Sequence, residues 1–196
     1  MVNKRKIRNS FRLFGALVFG WLYIPHFMIG GRNKFIRSDV ERMLERIDLR
    51  MSPIIGLLYF LHNDAYFRSL FYFRIGPIAS LFIGWYRPGD KYFTISKTLK
   101  MGKGCRIAHP YATILNADTI GDNFTCLHCT TLGSTSAGRP FIGNNVSLGA
   151  TVTIIGNVHI GNNVKIGAGS VVVKDIPDNC IAAGNPAKII RRIEEA

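Results

Sequence analysis

From Ile95 onward, apolar residues return at nearly constant intervals of six: Ile95, Met101, Ile107, Ile114, Ile120, Cys126, Leu132, Ile142, Leu148, Ile154, Ile160, Ile166 and Val172. Glycine follows seven of these thirteen positions, and Val146, Val152, Val158 and Val164 recur four places after their marks. An α-helix repeats near 3.6 residues and a strand at two, so neither produces this pattern. A coil built from three short strands and three turns does, with the marked side chains stacked in one interior column. The pattern therefore predicts a parallel β-helix of a little over four coils. The glycines and the "GNN" and "GDN" pairs are expected to supply turn residues with positive φ.

The interval fails twice. Seven residues separate Ile107 from Ile114, and ten separate Leu132 from Ile142. The first break falls beside His109, and the second extrudes the loop "GSTSAGRPF". Because the interior column must stay filled, added residues bulge outward at a corner. Such corners on a rigid scaffold are where functional groups concentrate.

Three steps complete a turn, so residues at equal offset three marks apart stack ~4.8 Å apart. Counted from His109, one edge of the prism reads His109, His128, Ala150, Ala168: two imidazoles above two small residues that leave a groove. An imidazole titrates near neutral pH and suits general-base chemistry, which makes His109 the candidate catalytic residue. His128 is either a second ligand-facing group or a structural hydrogen-bonding residue.

The first ninety residues differ in kind. After "NKRKIRNSFR" comes the apolar run Leu13 to Gly31, interrupted at Pro25 and His26. It can be a buried helix, an interfacial helix with Trp21 and Tyr23 at headgroup level and the basic cluster on anionic lipid, or a membrane span. "SDVERMLERIDLR" predicts a helix with Ser38 as N-cap and Glu41 three residues on. Two or three apolar helices follow, their aromatic stripe read as core, ending at Pro88-Gly89. The expected organisation is an α-helical, apolar region over 1–91, with 13–31 as its membrane-interfacial candidate, and the β-helix over 92–180.

The formal charge of the 196-residue chain is +13, and residues 1–50 hold eleven Lys/Arg against four Asp/Glu. That bias suits anionic lipid or a phosphate-rich ligand; nucleic acid is disfavoured because the cations lie in a greasy helical segment rather than a reading module. Four scattered cysteines do not form a disulfide framework, which points to a reducing, cytoplasmic setting, at the inner face of the membrane if the N-terminus engages lipid.

The motifs "AHPYAT", "IGDNFTCLHCTTLG", "RPFIGNNVSLGA", "IGNNVKIGAGSVVVKDIPDN" and "AAGNPAKIIRRI" resemble the hexapeptide-repeat acyltransferases, most closely the serine acetyltransferase-like branch that includes polysaccharide O-acetyltransferases. The resemblance implies a left-handed coil, a homotrimer, and acetyl-CoA as co-substrate in the cleft between neighbouring prisms, with no metal. It implies His109 as the base that takes the acceptor's hydroxyl proton, and it matches Arg139 to a second active-site histidine of that family, which makes Arg139, together with a ligand-facing His128, the candidate acceptor contact. It implies coenzyme A contacts at Ala150, Ala168, Lys174, Gly184, Lys188 and Arg191, with close backbone approach at Gly167 and Gly169. Residues 181–196 would form a loop lining coenzyme A and a short helix.

Two departures bear on the acceptor. Where serine acetyltransferases carry carboxylates that orient the base, this chain has Thr94 and Ala108. Asp64, Asp90 or a neighbouring subunit would have to supply an orienting group. A sugar or polysaccharide hydroxyl is therefore the expected acceptor, and serine the alternative. Two further alternatives are a zinc enzyme of the carbonic-anhydrase kind, suggested by His109, His128 and "CLHC", and a non-catalytic scaffold. The zinc alternative is opposed by Cys126, an interior mark that points away from Cys129.

Overall fold

The computed structural model describes residues 4–47 and 49–193. It divides into two compact units between Asp90 and Lys91.

The first unit contains six α-helices among the described residues: α1 (Lys4–Val18), α2 (Ile24–Gly30), α3 (Lys34–Leu44), α4 (Pro53–Asn63), α5 (Ala65–Ile75) and α6 (Pro77–Ile83), with a 3₁₀ turn at Gly20–Tyr23. Helix α3 starts at Lys34, four residues before the predicted cap Ser38. Asn33 caps it, its side chain accepting from the Phe35 and Ile36 amides, while Ser38 lies inside the helix and Glu41 pairs with Arg37. The apolar face explains the shift: Ile36, Val40 and Met43 recur at helical spacing, and the first precedes Ser38. Ser52 and Asp64 cap α4 and α5, and Gly76, at φ 85°, separates α5 from α6.

The core of this unit is aromatic, built on Tyr23, Tyr59, Phe60, Phe67 and Phe71. Tyr23 is fully buried and contacts the Nδ1 of His62 at 3.4 Å, so only Trp21 of the expected headgroup pair faces outward. Two polar features sit within this core. Asp39 and Arg74 form a two-pronged ion pair at 2.8 and 3.1 Å, with side chains 1% and 5% exposed. His26, fully buried, contacts Tyr72 at 3.0 Å and Tyr86 at 3.2 Å. Burial, followed by the charges of Arg68 and Arg87, lowers its pKa to about 4, so it is held neutral.

The second unit is a parallel β-helix of about five turns. One face stacks β1 (Phe93–Ile95), β4 (Thr113–Leu115), β7 (Thr131–Gly133), β10 (Thr153–Ile155) and β13 (Val171–Val172). The second face stacks β2 (Lys100–Met101), β5 (Thr119–Ile120), β8 (Phe141–Ile142) and β11 (His159–Ile160). The third stacks β3 (Arg106–Ile107), β6 (Thr125–Cys126), β9 (Ser147–Leu148), β12 (Lys165–Ile166) and β14 (Cys180–Gly184), with β15 (Ala187–Arg192) antiparallel at its edge.

From Ile107 onward the interior column is buried as predicted except at one level, while Ile95 and Met101 in the first coil are half-buried. Leu115 is fully buried and pairs with Ile95 and Leu132, whereas Ile114 is 45% exposed. The steps around the first break are thus eight and five rather than seven and six. Both sum to thirteen from Ile107 to Ile120, and both candidate residues are apolar, so spacing alone could not divide them. A one-residue slip in a strand exchanges its two faces.

The corner after the second face carries two side-chain ladders. Asn123, Asn145, Asn163 and Asn179 all lie at φ 56–58° and bond one to the next at 2.8–2.9 Å. Beside them, the carboxamide of Asn144 accepts from the Asp122 amide, and that of Asn162 from the Asn144 amide. The glycines preceding these pairs are required for another reason than φ. A Cβ on Gly143 would lie 2.7 Å from the Gly161 carbonyl carbon in the next coil, which no side chain tolerates.

The predicted C-terminal helix is absent through Ile193. Its residues form β15 instead, where Ile189 and Ile190 extend a strand that pairs with β14, and residues 194–196 lie outside the described part.

Candidate active site

The corner between the third and first faces gathers His109, His128, Ala150 and Ala168. The backbone ladder sets their order. The Ala108 amide donates to Cys126, and pairing resumes where the Cys129 amide donates to Tyr111 at 2.8 Å. Below, Thr151 donates to His128 and Gly169 to Ala150, each at 2.9 Å. The stacked column therefore reads Tyr111, His128, Ala150, Ala168. His109 and Pro110 have no counterpart in the next coil and form a two-residue bulge on the same edge. This corrects the predicted column at its first member and keeps the other three.

The bulge displays its histidine. His109 is exposed and held at φ 52°, a left-handed conformation uncommon outside glycine, asparagine and aspartate, and Pro110 beside it is buried. A turn anchored by a buried proline and a strained backbone fixes where the imidazole emerges. His128 is also exposed. Along this edge the left-handed residues Ala112, Cys129, Thr151 and Gly169 repeat once per coil, so the corner keeps one geometry from top to bottom.

Beneath the edge runs a set of buried hydroxyls not anticipated from sequence. Thr113, Thr130 and Ser170 are fully buried two places before the interior marks Leu115, Leu132 and Val172. Thr130 donates to the Leu127 carbonyl at 3.0 Å and Ser170 to the Gly167 carbonyl at 2.6 Å. Ser170 also accepts from the Gly184 amide at 3.2 Å, tying the base of the corner to the β14–β15 hairpin. Thr130 and Ser170 share an offset from the sequence marks, which was the available signal; Thr113 joins them only once Leu115 replaces Ile114 as the mark.

The hairpin places the expected coenzyme A residues. Gly184 has φ 108° and precedes the Asn185–Pro186 turn. Lys188 pairs with Ala183 and Arg191 with Ile181, and the register skips Ile190. In a regular strand, residues three apart face opposite sides. The bulge at Ile190 sets Lys188 and Arg191 opposite two outward residues of β14, so both cations share the outer face. Lys174 is exposed beyond β13, and Ala168 is exposed on the histidine edge.

Arg139 lies elsewhere. It closes the extruded loop, whose tip is a tight turn with mutual Thr135 and Gly138 backbone bonds, at the corner between the first and second faces. Its guanidinium pairs with Asp118 and donates to Thr98 at 2.7 Å. Within one chain it does not join His109. Asp64 is occupied as the cap of α5, and Asp90 belongs to the helical unit. Thr94 is exposed on β1. Cys126 lies in the interior column, where burial pushes its thiol pKa to about 12, while Cys129 is half-buried at the corner, at φ 55°. Among the described residues no three His, Cys, Asp or Glu side chains cluster as a metal site.

Residues 139–174 match the family model described as bacterial transferase hexapeptide (six repeats). Serine acetyltransferase 2 of Arabidopsis thaliana is 40% identical over 106 residues, covering 52% of this chain and 33% of that protein. The putative colanic acid biosynthesis acetyltransferase WcaB of Escherichia coli (strain K12) is 41% identical over 101 residues, covering 50% of this chain and 62% of its own length. The match thus spans a third to three-fifths of these relatives. A serine acetyltransferase from Brucella abortus strain S19, solved in complex with coenzyme A, superposes with TM-score 0.69 at 21% identity over 99% of this chain and 84% of its own. In its repeat and its fold, the β-helical half of the chain is thus similar to the hexapeptide-repeat transferases.

Proposed function

We propose that the protein is an O-acetyltransferase that moves the acetyl group of acetyl-CoA to a hydroxyl of a sugar or polysaccharide precursor. The observation that carries this reading is the His109 bulge, an exposed imidazole on the same edge of the prism as His128, Ala150 and Ala168. His109 takes the proton from the acceptor hydroxyl as its oxygen attacks the thioester carbonyl, and backbone amides of the corner stabilise the oxyanion. Coenzyme A lies along Ala150 and Ala168, with its phosphates on Lys174, Lys188 and Arg191 and its approach eased at Gly184. His128 faces the acceptor from the next coil. Arg139 reaches an acceptor only across a subunit boundary, which agrees with a trimer whose sites lie between prisms.

The matched relatives include both serine and colanic acid enzymes, so serine is the second reading. The absence of carboxylates at Thr94 and Ala108 favours a glycan, because a serine ammonium group finds no counter-ion there. The deciding experiment follows acetyl-CoA consumption against serine, simple sugars and extracted polysaccharide. Consumption with serine alone transfers the assignment to the second reading. In the same assay His109→Ala should lower turnover by ~10²–10⁴ with acetyl-CoA affinity nearly unchanged. Lys188→Ala should do the reverse. Near-normal turnover without His109 would refute the catalytic assignment.

A further inference from the structure

We propose that the helical unit carries a docking face for the surface of an anionic lipid bilayer. The inference rests on that unit alone and is independent of the chemistry assigned to the β-helix.

Helix α1 has two apolar sides rather than one. Its inner side is Asn9, Leu13 and Ala16, with Asn9 and Ala16 buried and Leu13 packed on the aromatic core. About half a turn away, at 100° per residue, Ile7, Phe11, Phe14 and Val18 form a second stripe at i, i+4, i+7 and i+11. All four are exposed, Phe11 at 73%. The segment that follows repeats the pattern with Trp21, Ile24 and Met28, the last 82% exposed. Helix α6 does so a third time with Ile78, Leu81 and Phe82 at i, i+3 and i+4, and Trp85, 79% exposed, follows in the turn beyond it. Single exposed apolar residues are ordinary, but three outward stripes at helical spacing are not.

Charge selects the occupant. Lys4, Arg5, Lys6, Arg8 and Arg12 are all exposed on α1, most of them along one border of its outer stripe, and no acidic residue precedes Asp39. A second copy laid on this face would bring the same cations against its own. A bilayer bearing anionic headgroups complements them while accepting the apolar side chains into the headgroup boundary. Among the described residues no single helix is long and apolar enough to cross a membrane; Lys4–Val18 and Gly20–Gly30 reach that length only together, and they are bent by 72°. The other side of the same segment is held inward by the Tyr59–Asn9 contact and by buried Tyr23 and His26.

Both tryptophans of the chain, Trp21 and Trp85, belong to these exposed stripes, so intrinsic fluorescence reports their occupancy directly. The experiment titrates the full chain with phosphatidylcholine vesicles, with and without phosphatidylglycerol. Expected are co-sedimentation with the anionic vesicles, a blue shift of tryptophan emission, quenching by brominated acyl chains, and weakening by salt. The double variant Phe11→Gln, Phe14→Gln alters exposed positions only and keeps good helix formers; it should weaken binding about tenfold or more with helicity unchanged. Unshifted emission without co-sedimentation overturns the proposal. Equal binding to neutral vesicles overturns its electrostatic part. A blue shift that tracks protein concentration without vesicles assigns the face to a second copy instead.

Discussion

The two units solve the problem of a hydrophobic core by opposite means. In the β-helix each coil repeats the coil above it, so Leu132, Ile154 and Val172 do one job at successive levels and the asparagine ladder bonds each corner to the next. The helical unit has no repeat. Its core is an irregular aromatic packing into which two polar groups, the Asp39–Arg74 pair and His26, have been fitted with particular partners. A fault in the first should be local and of one size wherever it falls. A fault in the second should depend on which partner is stranded.

The largest expected effect follows from that difference. Asp39→Ala removes one member of a buried ion pair and leaves the Arg74 guanidinium without its principal counter-charge. Breaking such a pair costs about 3–5 kcal/mol. Denaturant unfolding followed by tryptophan fluorescence reports the helical unit, since both tryptophans lie in it. Replacing both partners by apolar residues should recover most of the loss, whereas an equal loss in single and double variants would show that packing, and not stranded charge, sets the cost.

A smaller effect separates the units by pH. Burial lowers the pKa of His26 to about 4, so between that value and the ordinary 6.5 the unfolded chain binds a proton that the folded chain refuses. The stability this contributes is complete above pH 6.5 and is lost as pH falls toward 4. The ceiling is ~3 kcal/mol, from 1.36 kcal/mol per pKa unit. The fluorescence-monitored midpoint should fall across this window, and His26→Gln should flatten the dependence at the cost of a lower plateau. A midpoint with the same slope in both proteins would assign the dependence to other groups, His62 first, whose pKa burial also lowers.

These contrasts also explain what could be learned from sequence. The column, the corners and the histidine edge were legible because a repeat states each position several times, and errors in one copy are corrected by the others. Legibility failed where the repeat is broken. At Ile114 and Leu115 two apolar neighbours fit the same thirteen-residue total, and only the hydrogen-bond register of β4 decides between them. That choice moved Tyr111 into the column and His109 onto the bulge. The bulge at Ile190, which puts Lys188 and Arg191 on one face, leaves no trace in spacing, because a skipped residue in an edge strand has no repeat to violate. In the helical unit the Ser38 cap failed since a capping motif is short, while the Ile36, Val40, Met43 face extends past it. The partners of Asp39 and His26 lie 35 and 46 residues away, beyond any local pattern.

The smallest effect tests whether faults in the repeat are truly local and uniform. Asn163 combines a left-handed backbone, φ 57°, with side-chain bonds at 2.8 Å to Asn145 above and Asn179 below. Asn163→Gly keeps the backbone accessible and loses only the ladder, whereas Asn163→Ala loses the ladder and also forces a Cβ residue into the left-handed region. The second penalty is ~1–2 kcal/mol per residue, so alanine should be the less stable of the two by about that amount. Asn145 has the same φ and the same two-sided bonding, so its two variants should differ by the same increment. Unfolding monitored by far-UV circular dichroism would measure both increments. If they agree, each coil bears its own corner and the repeat is energetically modular. Unequal increments would mean that strain at one corner is shared along the ladder, and the contrast between a uniform β-helix and an idiosyncratic helical unit would lose its energetic half.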